Sequence, residues 1–153
     1  MKRLTISLAT AVALTAPAVM AQDDFSAQLK ARQGQFRIMA LNLGILGGMA
    51  QGKIDYDEET AQEAADTLVA VSSISQAPHW PEGTDNFSID GTRAQVSIWE
   101  DNADFIAKWA DFGEAAQEMQ AAAGDGTEAI GQALNEVGGT CKACHDTHRA
   151  PES

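Results

Sequence analysis

The sequence predicts an all-α chain folded as an antiparallel four-helix bundle. Four stretches carry apolar residues at helical spacing, three breaks rich in glycine or proline separate them, and no stretch alternates as a strand would.

Residues 1–21 read as an export signal. Lys2 and Arg3 form a basic start, residues 4–16 are mostly apolar, and Val19-Met20-Ala21 ends in a small residue suited to cleavage. The run is interrupted by Thr5, Ser7, Thr10 and Thr15, stopped by Pro17, and short for a bilayer span. Residues 22–153, 132 of them, are then one mature domain. No other apolar stretch approaches membrane length, so the mature chain is expected to be soluble and periplasmic.

The first helix is expected from about Asp24 to Gln51, with Phe25, Leu29, Phe36, Met39, Leu43 and Leu46 on one stripe and Gly47, Gly48 and Gly52 weakening its end. A second begins near Asp55-Tyr56-Asp57-Glu58, where acids suit the positive end of the helix dipole, and stops before Pro78. Residues 77–91 form one long connection, which is expected to pack on something or to cross over an end. The third helix is read from Gly91-Thr92 to about Ala123, with Val96, Trp99, Ala103, Ile106, Trp109 or Ala110, Phe112 and Met119 inward. Gly124-Asp125-Gly126 is a tight turn, and Thr127 is the expected cap of the fourth helix. That helix carries Ile130, Leu134, Val137, Cys141, Cys144 with His145, and His148 along one side. Gly138-Gly139 costs it about 2 kcal/mol of propensity and would let a flat bulky group approach the backbone.

Formal charge is −12, and −14 once the signal and its two cations are gone. Such a surface disfavours nucleic acid and anionic membranes and steers basic partners. Only nine residues are aromatic while alanine is abundant, so the protein core alone is modest.

The chemistry lies in Cys141-Lys142-Ala143-Cys144-His145. C-x-x-C-H is the attachment signature of a c-type haem: two thiols add across the porphyrin vinyl groups and the next imidazole takes one axial position on iron. On a helix, 141, 144 and 145 share a face. A zinc site would want a fourth ligand, for which His148 or His79 stands without a second paired element. A redox dithiol would open a helix after a strand, and an exported pair could instead close a disulfide. Export, helical spacing and apolar neighbours all suit haem c, bound covalently through Cys141 and Cys144, with His145 as the metal ligand.

With this motif near the end of a four-helix exported domain, the chain resembles the cytochromes c′, among the class II c-type cytochromes. Ala31-Arg32-Gln33-Gly34-Gln35-Phe36, Ile98-Trp99-Glu100 and Gly139-Thr140-Cys141-Lys142-Ala143-Cys144-His145-Asp146 carry the resemblance. It implies that Phe36 points at the face of the iron opposite His145. Phe36 has no coordinating atom, so a five-coordinate, high-spin iron follows. Met39, three positions on, is the residue whose sulfur would overturn this. Arg32, on an otherwise apolar stripe, needs a charged or hydrogen-bonding partner. Haem propionates, assisted by Gln33, are the partner implied, and a guanidinium at the stripe's edge in water is the alternative. Arg149, four residues after His145, is implied to line the proximal pocket. His148 stands where relatives carry an aromatic and is read as shielding His145, or as a pH-sensitive element. Trp80 resembles a residue near the haem edge, and His79 is read as an exposed loop histidine.

Function is expected to follow from the masked sixth site: nitric oxide and carbon monoxide need no polar distal donor. No nucleophile, acid–base pair or substrate-pocket signature points to an enzyme. The alternative is a six-coordinate electron carrier, with Met39 or another residue on the iron, docking a redox partner protein. A homodimer through the first two helices, packed at Gly44, Gly47 and Gly48, is implied by the resemblance.

Overall fold

The computed structural model describes residues 24–152; the export signal expected at 1–21 lies outside them. Five helices run in the order α1 (Ser26–Ala50), α2 (Glu58–Ser72), α3 (Ser97–Glu100), α4 (Asn102–Ala122) and α5 (Thr127–His148). The four long ones form the bundle, and the described residues contain no strand, only an isolated antiparallel bridge between Ala94 and Arg149.

Local chemistry sets most boundaries. α1 continues through Gly47 and Gly48 and ends in a hydrogen-bonded cap: Lys53 N–H reaches Gly48 O at 2.8 Å and Gly52 N–H reaches Met49 O at 3.0 Å, with Gly52 left-handed at φ +67°. Met49 is therefore in the core, 1% exposed, rather than at a frayed end. α2 starts where the extended Asp57 accepts the Thr60 N–H at 2.8 Å, with Glu58 and Glu59 in the first turn.

Two expectations fail. The third helix does not begin at Gly91: residues 91–96 are non-helical, α3 is four residues long, and the chain breaks at Asp101 (φ −128°, ψ 63°) before α4. The Asp101 side chain accepts the Asp104 N–H, and Asn102 Nδ2 donates back to Ile98 O, so both residues satisfy the backbone outside a continuous helix. The break re-phases the stripe: Ile98 and Phe105 are buried, while Val96 and Ile106 are exposed. Thr127 does not cap α5 either; the cap position is Gly126, whose φ of +93° suits only glycine.

One end of the bundle is solid. Leu46, Met49, Leu68, Met119, Ile130 and Val137 pack there with Ala61, Ala65 and Ala116, all buried. At the other end a small cluster of Ala94, Ile98 and Phe105, with Trp80 and Trp99, leaves the first turns of α1 and the last of α5 apart. The α2–α3 connection, residues 73–96 with a 3-10 turn at Ala77–His79, folds across this open end.

Candidate haem site

The last turns of α5 carry Cys141 and Cys144, half-buried and not joined in a disulfide. Burial pushes both thiols up from their ordinary value, opposite to what an activated redox dithiol requires. His145 is shifted down, first by partial burial and then by the cations Arg149 and Arg93. The neutral imidazole, the form that binds a metal, is thereby favoured. The Arg149 guanidinium lies 3.3 Å from His145 Nδ1. That contact does not use Nε2.

Facing these groups is a cavity of about 490 Å3, within the size range of ligand and cofactor sites. One wall is the α1 face of Leu29, Arg32, Gln33, Phe36, Met39 and Leu43; the other is Cys141, Cys144, His145 and Arg149. Trp80 and residues 91–94 close the edge. Cys141, Cys144, His145, Arg149, Arg32, Gln33 and Phe36 all line this one cavity. The sequence stripe on α1 is thus divided: Met39 and Leu46 are buried, while Phe36, expected at the core face, is 39% exposed because it fronts open space. A mostly apolar slot with two free thiols and a neutral imidazole on one wall fits a flat tetrapyrrole held by thioethers.

Arg32 is not at the stripe's edge in water. It is buried, and its guanidinium donates to Thr84 Oγ1 (2.8 Å), Thr84 O (2.7 Å) and Thr92 Oγ1 (3.0 Å), and lies 4.5 Å from the Trp80 ring centroid. Gln33 Nε2 donates to Gly91 O at 2.7 Å. Both side chains pin the α2–α3 connection over the cavity mouth, a role the sequence hid because threonine spacing in a loop carries no periodic signal.

His148 is 3% exposed, with Nδ1 2.9 Å from Ser97 Oγ and Nε2 3.0 Å from Asp104 Oδ2. His79 is only partly exposed, its Nδ1 enclosed without a partner among the described residues. Gly138 and Gly139 face open space and do not line the cavity. Met119 is core, as expected.

The family model described as Cytochrome C′ matches residues 27–149. The chain belongs to the cytochrome c′ family. A cytochrome c′ from Cereibacter sphaeroides is 38% identical over 94% of this chain and 96% of its own length. A solved cytochrome c′ from a Rhodobacter species superposes with a TM-score of 0.81 at 36% identity, covering 85% of this chain and all of the other. A nitric oxide complex of a variant cytochrome c′ from Alcaligenes xylosoxidans is similar at a TM-score of 0.71 and 27% identity, over 83% of this chain and 97% of that one. As a member of the cytochrome c′ family, the chain carries haem c covalently, and Cys141 and Cys144 are its only two cysteines.

Proposed function

We propose that this is an exported, periplasmic haem protein that binds small neutral gases, nitric oxide and carbon monoxide, at a five-coordinate, high-spin iron, and that it is a binding protein rather than an enzyme. The observation that carries the reading is Phe36: a half-exposed phenyl ring, without a coordinating atom, lines the same cavity as His145. The nitric oxide complex solved for a relative supports it.

When bound, haem c supplies an iron able to take one diatomic ligand. Cys141 and Cys144 would tether the group and His145 would ligate the metal. Arg149 supplies a cation beside that imidazole, and Arg32 and Gln33 hold the loop that closes the edge. Phe36 excludes water, large ligands and charged ones from the opposite side. Phe36 itself is no donor, and the indole N–H groups of Trp80 and Trp109 beside it are engaged by Gln76 Oε1 and Ser72 O, so ligands that depend on a distal hydrogen bond are disfavoured.

The decisive experiment is an optical spectrum of the ferrous protein with and without nitric oxide or carbon monoxide. A broad high-spin spectrum that changes with either gas is expected. A sharp low-spin spectrum indifferent to both would establish the electron-carrier alternative. Met39 also lines the cavity, but it is 8% exposed and packed in the main core cluster.

We also infer a homodimer through α1. Leu41 is 66% and Ile38 45% exposed on its outer face, and Gly34 and Gly44 have open space above them. Gly48 is not part of that surface, since Ile54 folds onto it. Sedimentation equilibrium tests the dimer.

A further inference from the structure

Gln35 and Gln76 serve neither the tether nor the imidazole, yet they are 5% and 3% exposed. Gln35 Nε2 donates to Gln76 Oε1 at 2.8 Å, and Gln76 Nε2 returns to Gln35 Oε1 at 3.2 Å and reaches Ile74 O at 2.9 Å. Gln76 Oε1 also accepts the Trp80 indole N–H at 3.0 Å. Burying two primary amides is costly unless their polar atoms find partners, and a satisfied buried network stiffens what it touches.

What this pair stiffens is Trp80. The ring sits 4.5 Å from the Arg32 guanidinium and edge-on to Phe105 at 5.0 Å, and its own carbonyl accepts from Trp99 Nε1 at 3.0 Å. Trp80 in turn meets Phe36 edge-on, centroids 6.3 Å apart at 62°. Trp109 meets Phe36 as well, at 6.2 Å and 78°, with its indole N–H fixed on Ser72 O at 2.9 Å. Phe36 therefore contacts two indoles, each anchored through its nitrogen.

The structure assigns a positioning role to Gln35 and Gln76: through Trp80 they hold Phe36 at the cavity and set how fast a small ligand enters. This rests on the gas-binding reading above. A phenyl ring can turn aside only as far as its neighbours yield, so a fixed Trp80 raises the entry barrier and a loosened one lowers it.

The test uses the ferrous holoprotein and carbon monoxide, with rebinding followed after flash photolysis. Gln76→Met keeps the side-chain length and removes the acceptor for Trp80. Association is expected to accelerate about fivefold, the factor that one net hydrogen bond is worth, with dissociation nearly unchanged. Trp80→Phe removes the N–H, so adding Gln76→Met to it should produce no further acceleration. An unchanged rate in the single variant, or effects that multiply in the double variant, would overturn the assignment. Should Gln76→Met not fold, Gln35→Met breaks the amide pair alone and is expected to accelerate association by a smaller factor; no acceleration counts against the role. Indole N–H exchange by NMR gives a readout independent of gas. Gln76→Met should speed exchange at Trp80 and not at Trp109, whereas equal change at both would indicate general loosening and sink the assignment. A wild-type protein that takes up no carbon monoxide defeats the gas reading, and the exchange experiment then still decides whether the clamp exists.

Discussion

Asp104 and His148 stand 44 residues apart in the chain and 3.0 Å apart in the fold, carboxylate oxygen to ring Nε2. The other ring nitrogen lies 2.9 Å from Ser97 Oγ, whose hydroxyl proton goes to Thr147 O at 2.8 Å. Both ring nitrogens are thus held within hydrogen-bond distance of a side-chain oxygen. The three side chains share the connectivity of a hydrolase triad with the ring reversed. Ser97's proton is already engaged and the ring is 3% exposed, so nothing here presents a nucleophile to a substrate. The network instead ties α5 to α3 and α4 next to the haem cavity. His148→Phe keeps the aromatic shape and the edge contact with Phe105, centroids 5.6 Å apart, but leaves Ser97 and Asp104 without their partner. Thermal unfolding of the holoprotein should fall by roughly 3–5 °C; an unchanged or raised Tm would mean that packing alone holds this corner.

The same carboxylate predicts an acid limb. Lys108, 2.5 Å away on the next turn, holds Asp104 below the usual carboxylate range, with His148 adding to the effect. Folded Asp104 therefore binds its proton less readily than unfolded Asp104 does. Its contribution is fully present above the unfolded value, about 3.9, and is lost as pH falls through the lower folded value. Urea midpoints measured from pH 6 downward should decline below about pH 4. In Asp104→Asn that decline should be shallower, so the gap between variant and parent narrows toward low pH. A gap that widened on acidification would show the sign to be wrong.

The end of α1 offers a backbone test. Gly52 at φ +67° supplies the left-handed residue that lets Lys53 and Gly52 donate back to Gly48 and Met49. An L side chain there pays roughly 1–2 kcal/mol for the same conformation. No neighbouring atom lies within 4 Å of a Cβ at Gly52, so crowding adds nothing. Gly52→Ala should lower stability by about 1 kcal/mol in denaturant unfolding, with gas binding unaltered because the residue does not line the cavity.

How much the sequence disclosed depends on the type of signal. The acids opening α2 and the C-x-x-C-H run are local patterns, and each stands in the structure at its expected place, while the periodic stripe of α1 gives the helix but is divided between core and cavity. The third helix reads as continuous in the sequence because its apolar residues fit a single 3.6-residue period from Val96 onward; the Asp101-Asn102 side chains, which break that period, look like ordinary helix-surface residues. The Arg32–Thr84, Arg32–Thr92 and Gln35–Gln76 contacts are invisible for another reason: they join residues 41–60 positions apart. Their partners sit in an irregular connection, where neither spacing nor hydrophobicity marks the one threonine or glutamine that matters. Phe36 was placed on the right helix face, yet only the cavity explains why an aromatic on the core stripe remains 39% exposed.

Phe36→Met puts the two functional readings into one protein. The position lines the cavity that holds His145, and the substitution trades a phenyl ring for a thioether of similar reach. If the absence of a ligating atom at residue 36 is what leaves the sixth site open, a methionine sulfur there should close it. The ferrous spectrum should sharpen to a low-spin form, and carbon monoxide affinity should drop at least about tenfold, since the gas must displace a ligand worth on the order of 1.4 kcal/mol or more. Phe36→Leu, equally apolar and without a ligating atom, should keep the high-spin spectrum and the gas response. A methionine variant that still behaves like the leucine one would show that the side chain at residue 36 does not decide the coordination of the iron, and the role assigned to Phe36 would fall with it.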